Sequence, residues 1–177
     1  MINYQFLKPL TSDRLEFIKL DFIVTTKTKN IDDLLNAYVV SNIWRGKFFI
    51  KKLIKRLFKY RVNGSFNWDR NFWNLICIEN LEYQYKLPND INNLDELKQK
   101  LIKKTTKNRM NDIVKYQQLL KDGVNINVPL FITGEVLNHL GAEANSSEIY
   151  FLDGSRRLLA NILNNNLHNK ALLINLK

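Results

Sequence analysis

Apolar residues in the second half of the chain switch between two spacings, and the switches predict the elements. Residues 94–104 and 110–120 repeat apolar positions at helical intervals. Asn93 is placed to cap the first of these helices and Gly123 to stop the second. Shorter apolar runs at 72–78, 125–132, 149–152 and 171–176 read as strands. Residues 133–141 read as a short helical turn, and Leu158, Leu159, Ile162 and Leu163 place a helix over 155–164. From residue 72 the order is therefore strand, helix, helix, strand, short helix, strand, helix, strand. That order predicts an α/β (α+β) domain with a small mixed sheet and surrounding helices.

The N-terminal part is patterned differently. Apolar patches at 15–18 and 20–24 fit one strand or a strand pair, and Asn30 with Asp32 and Asp33 opens a helix over 31–43. Over 44–61, an apolar half with Phe49, Ile50, Leu53, Ile54, Leu57 and Phe58 backs onto Lys51, Lys52, Lys55, Arg56 and Lys59. No acidic residue occurs between Asp33 and Asp69. Three readings fit this helix: a cover for the core with solvated lysines, a helix on an anionic membrane, or a contact for nucleic acid backbone. The turn residues Asn63, Gly64 and Ser65 then set a boundary. Residues 1–71 are a mainly helical N-terminal extension, and 72–177 are the domain.

Composition narrows the setting more than the function. A chain of 177 residues that is 45% hydrophobic and 25% charged can build a core. Its net charge of +10 admits nucleic acid, an anionic membrane or a phosphorylated ligand as partner. Cys77 is the one cysteine, which excludes an internal disulfide and favours a reducing compartment. Residues 1–5 lack a signal-peptide layout, and no apolar run approaches the ~18 residues of a membrane span. The expected location is cytoplasmic, peripheral to the inner face of a membrane if the basic helix lies on lipid.

The candidate chemistry gathers where the 149–152 strand meets the 155–164 helix. An Asp153-Gly154 turn leaves backbone N–H groups at a helix start, and Arg156 and Arg157 add two guanidinium groups. This corner suits phosphate, with Arg157 as a bidentate clamp and Arg156 assisting. One of the two arginines pairing with Asp153 or Asp112 is the plainer alternative. Gly154 permits a tight turn, and Ser155 either caps the helix or donates to phosphate. Asp153 either shapes the turn or holds a divalent cation and accepts a proton. Glu79, at the end of the 72–78 strand, is a candidate general base. His139 and His168 read as structural, and no Gly-Lys-Ser/Thr phosphate loop occurs.

Residues 73–177 resemble the ParB/sulfiredoxin-like superfamily, and are nearest in layout to its free-serine kinases. The resemblance rests on Gly154-Ser155-Arg156-Arg157-Leu158-Leu159-Ala160, similar to the Gly-x-Arg-Arg-x-x-Ala box of ParB domains. It also rests on Val128-Pro129-Leu130-Phe131-Ile132 before that box, and on a helix ending at Gly123 with Arg109 near its start. Ser155 stands where sulfiredoxin has its cysteine and ParB a glutamate, and where the kinases usually carry histidine this chain has Ser155 and Arg156. ParB carries a helix-turn-helix domain after this one, and ParB-like, sequence-specific DNA partition is not expected of this chain. The resemblance implies a nucleotide site in which Arg109 joins Gly154 to Arg157 on the phosphates of ATP or CTP, with Mg²⁺ on Asp153. It implies an NTP-dependent phosphotransferase acting on a small hydroxyl-bearing acceptor. The alternative is a non-catalytic nucleotide- or nucleic-acid-binding protein of the same fold.

Overall fold

The computed structural model describes residues 2–5, 19–29, 43–87 and 91–177. The expected 31–43 helix lies outside them except for Ile43, and so does the 15–18 patch. Six strands are described: β1 (Ile2–Gln5), β2 (Lys19–Lys29), β3 (Ile76–Lys86), β4 (Leu130–Thr133), β5 (Ile149–Asp153) and β6 (His168–Leu176). They form one sheet in the order β1-β2-β3-β6-β4-β5. Only the β4–β6 pair is parallel, so the sheet is mixed. The described helices are α1 (Ile43–Arg61), α2 (Phe72–Leu75), α3 (Leu94–Lys104), α4 (Lys107–Lys121), α5 (Gly134–His139) and α6 (Ser155–Leu163). The fold is mixed α/β, as the order of apolar patterns predicts.

Both faces of β4, β5 and the middle of β6 are covered, which is why these stretches run apolar, whereas β3 alternates from Leu81 to Tyr85. One face carries Leu81, Tyr83, Phe131, Phe151 and Leu173 beneath α3, α4 and α6. The opposite face carries Ile76, Ile78, Ile132, Leu152 and Ile174 beneath α1 and α5. The apolar half of α1, with Ile50, Ile54 and Leu57, is buried in this second cluster. Residues on the N-terminal side of the expected boundary at 71 thus share a core with residues beyond it, and β2 pairs directly with β3.

Local chemistry sets the ends of the elements. The Asn93 side chain accepts from the Glu96 N–H, and the Glu96 carboxylate accepts from the Asn92 N–H, so α3 starts where expected. Thr106 accepts from the Arg109 N–H, which starts α4 at Lys107 rather than 110 and puts Arg109 in its first turn. Gly123 ends α4 at φ +74 while the Val124 N–H returns to the Leu119 carbonyl.

Two expected strands are corrected. Residues 72–75 form a helical turn, because Asp69 accepts from the Asn71 N–H through its side chain and from the Phe72 N–H through its carbonyl. The strand therefore begins at Ile76 and runs on to Lys86, leaving Glu79 in its middle. The strand expected over 125–132 is confined to its end. Pro129 has no N–H to donate, and β4 starts just after it.

Candidate functional site

Strand β5 lies at the edge of the sheet and delivers Asp153 to its rim. Gly154 then turns the chain at φ +95, a left-handed conformation that glycine adopts without a Cβ clash, and α6 begins at Ser155. A Cβ on Gly154 would stand 2.9 Å from the Pro129 Cα and 2.9 Å from the Arg157 Nη2. The turn thus needs glycine for its backbone and for the guanidinium folded over it. The N–H groups of Ser155, Arg156 and Arg157 have no acceptor within the helix. They point out of the positive end of its dipole.

Side chains from three helices meet at this rim. Arg109 of α4 is 8% exposed and donates from Nη2 to the Ser155 Oγ at 2.9 Å. Arg157 reaches the Asp153 Oδ2 at 2.6 Å, and Arg156 reaches the Asp112 Oδ2 at 3.3 Å. Both arginines of the box are thus in ion pairs. From the other face of the sheet, Arg61 at the end of α1 donates to the Phe151 carbonyl at 2.7 Å. An edge strand leaves one row of its backbone groups open to such a partner. Arg56 of α1 and Tyr116 of α4 complete a cleft of about 180 Å³.

Five arginines line that cleft, and Asp153 is the one carboxylate among its described lining residues. With Asp112 included, five guanidinium groups meet two carboxylates among the described residues of this rim. The cleft can therefore attract and orient an anion with several oxygens, each able to accept from a planar guanidinium fork.

The residues singled out by sequence fall into two groups. Asp153, Gly154, Ser155, Arg156, Arg157 and Arg109 come together here. Ser155 is the first residue of α6 rather than its cap, and its hydroxyl oxygen accepts from Arg109. Glu79 is not among them. It lies opposite Leu173, with β6 and β4 between its strand and β5. There it accepts from the Cys77 thiol at 3.7 Å and from the Asn175 amide at 3.5 Å. Burial, then the Glu79 carboxylate, push the Cys77 thiol above its usual pKa, which keeps it in the unreactive protonated form.

Arg56 and Arg61 are the charged lining residues that sequence reasoning did not assign to this site. They belong to the basic helix, and no spacing ties them to a turn some ninety residues later. Among the described residues no group of three or more His, Cys, Asp or Glu side chains is placed to hold a metal. No described helix is long and apolar enough to cross a membrane. Compared with known proteins, the chain matches no family model, no curated protein and no solved structure.

Proposed function

We propose that the cleft at the start of α6 binds the phosphate groups of a nucleotide. The observation that carries this reading is the convergence of Arg56, Arg61, Arg109, Arg156 and Arg157 on one helix start. A helix N-terminus and guanidinium forks are complementary to phosphate in both charge and geometry. The resemblance to the ParB/sulfiredoxin-like superfamily supports the same assignment, with ATP or CTP as the ligand class. Asp153 alone does not make a metal site, so Mg²⁺ would arrive on the phosphates, with Asp153 as its one protein carboxylate.

A phosphotransferase reading is the second one, and it is favoured by the position of Asp153 in the cleft with its side chain 38% exposed. In that reading Asp153 leaves Arg157 as the phosphates take over the guanidinium, and accepts the proton of a small hydroxyl-bearing acceptor.

Calorimetric titration of the purified chain with ATP, CTP and pyrophosphate, with and without Mg²⁺, tests the first reading. Micromolar binding that is lost in Arg109→Ala and Arg157→Ala is the expected result. Failure of all three ligands to bind below about millimolar at low salt overturns it. Release of labelled phosphate or its transfer to an added alcohol, abolished in Asp153→Asn, would add the chemistry.

A further inference from the structure

The solvent face of α1 carries charge of one sign only. Lys52, Lys55, Arg56 and Lys59 are exposed along it, and no acidic residue occurs anywhere in Ile43–Arg61. Steps of three and four residues space these cations at about 4.5–6 Å along the helix axis. Lys52 with Arg56, and Lys55 with Lys59, are like-charged neighbours one turn apart, an arrangement that destabilises a helix standing alone. On α3, by contrast, Lys100 stands one turn from Glu96 and pairs with it. A helix whose whole task was to cover the sheet would gain from the same mixture of signs.

Two further observations say what this row meets. Arg56 belongs both to the row and to the cleft lining, so the row on α1 and the start of α6 share one arginine. Phe48 and Tyr60 flank the row with 70% and 49% of their surfaces exposed, and the Lys59 Nζ stands 5.2 Å from the Tyr60 ring centre. Exposed rings beside a line of cations are stacking platforms for unpaired bases, whereas the bases of a duplex are already stacked on one another. A membrane fits less well. A helix lying on lipid inserts its apolar half, and here Ile50, Ile54 and Leu57 are committed to the core.

We infer that the lysine row of α1 and the arginine cleft form one continuous binding surface for single-stranded nucleic acid. One phosphate sits in the cleft and its neighbours lie along Lys52, Lys55 and Lys59, with bases against Phe48 and Tyr60. The inference rests on the reading of the cleft as a phosphate site.

The test is fluorescence anisotropy with labelled oligo-dT and oligo-U of about twelve nucleotides, together with calorimetric titration of ATP and pyrophosphate. Circular dichroism confirms that each variant is folded, which the exposure of the three lysines favours. The triple variant Lys52→Glu/Lys55→Glu/Lys59→Glu is expected to weaken oligonucleotide binding at least about tenfold and to flatten its salt dependence. Its affinity for ATP and pyrophosphate falls far less than its affinity for the oligonucleotide, because none of the three lines the cleft and only their screened field reaches it. Arg109→Ala weakens both classes of ligand. An oligonucleotide affinity unchanged in the triple variant overturns the inference, as does absence of oligonucleotide binding at about 50 mM salt. Co-sedimentation with phosphatidylserine vesicles through the same lysines, without oligonucleotide binding, overturns it in favour of a membrane. If ATP and pyrophosphate bind and oligonucleotides do not, the inference alone falls. If ATP and pyrophosphate fail, the cleft reading falls with it.

Discussion

The Arg157 guanidinium closes back over Gly154 onto the Asp153 carboxylate, 2.6 Å away and one helical turn earlier. With its side chain only 13% exposed, Arg157 is held in place by the carboxylate that its ligand must displace. Asp153 therefore shapes the site when it is empty and competes with phosphate when it is filled. Asp153→Asn keeps an oxygen acceptor but removes the competing charge. Pyrophosphate binding measured by calorimetry is expected to tighten by about three- to tenfold. Weaker binding in Asp153→Asn would show that the carboxylate assists the ligand, through a metal or by orienting Arg157.

Gly154 carries two constraints and Gly123 only one, which makes the pair a controlled comparison. Both have positive φ, at +95 and +74, but a Cβ on Gly123 meets nothing within 4 Å. Gly123→Ala is expected to cost about 1 kcal/mol from its left-handed backbone alone. Gly154→Ala adds a clash with the Pro129 Cα, a backbone atom that cannot step aside, and costs about 2–4 kcal/mol. Urea unfolding of the two variants measures the difference. Equal losses would mean that the β5–α6 corner relaxes freely and does not hold Arg157 in register.

What could be read from sequence follows the range of the interactions involved. The Asn93 cap, the Gly123 stop and the Asp153-Gly154 turn act over a few residues, and each stands where its residue types require. Asp69 misleads because its side chain diverts 72–75 into a helical turn before an apolar run that otherwise reads as strand. Glu79 lies inside the strand because β3 runs on past it to Lys86, paired with β2 on one side and β6 on the other. The meeting of Arg61 with Phe151 spans ninety positions and depends on α1 docking on the face opposite α6. Periodicity shows that α1 has an apolar half, but not which layer that half covers. The box around Gly154 was legible, and the two arginines reaching it from across the sheet were not.

The docking of α1 has its own test. Ile54 is wholly buried, in a cluster with Ile132, Leu152 and Ile174 from three strands. Ile54→Ala is expected to cost about 2–5 kcal/mol, since the rigid sheet beneath it cannot collapse into the cavity. The loss should appear in one cooperative transition followed both by far-ultraviolet circular dichroism and by tryptophan fluorescence. Trp68 and Trp73, which pack around Phe72 between α1 and the sheet, supply the second signal. A helix that served only as an appended address would lose its own signal early and leave the rest of the transition unchanged.

Glu148 offers a pH-dependent prediction away from the cleft. Its Oε2 is sealed from solvent with no hydrogen-bond partner among the described residues. Burial raises its pKa, and a hydrogen bond with the Asn145 side chain offsets part of the rise. The folded value therefore lies above the unfolded value of 4.5, and the fold favours the protonated carboxyl. Below the unfolded value both states hold the proton and the burial penalty is absent. As pH climbs through the unfolded and then the folded value, the unfolded chain gives up its proton first, and stability falls. Glu148→Gln is neutral at every pH and leaves the bond from the Gly134 N–H to the residue-148 carbonyl in place. The variant is expected to melt above the parent chain near pH 7, with the gain shrinking on acidification and gone by about pH 4. Melting curves of both proteins across that range measure it. A gain that stayed constant with pH would trace the effect to packing instead of charge.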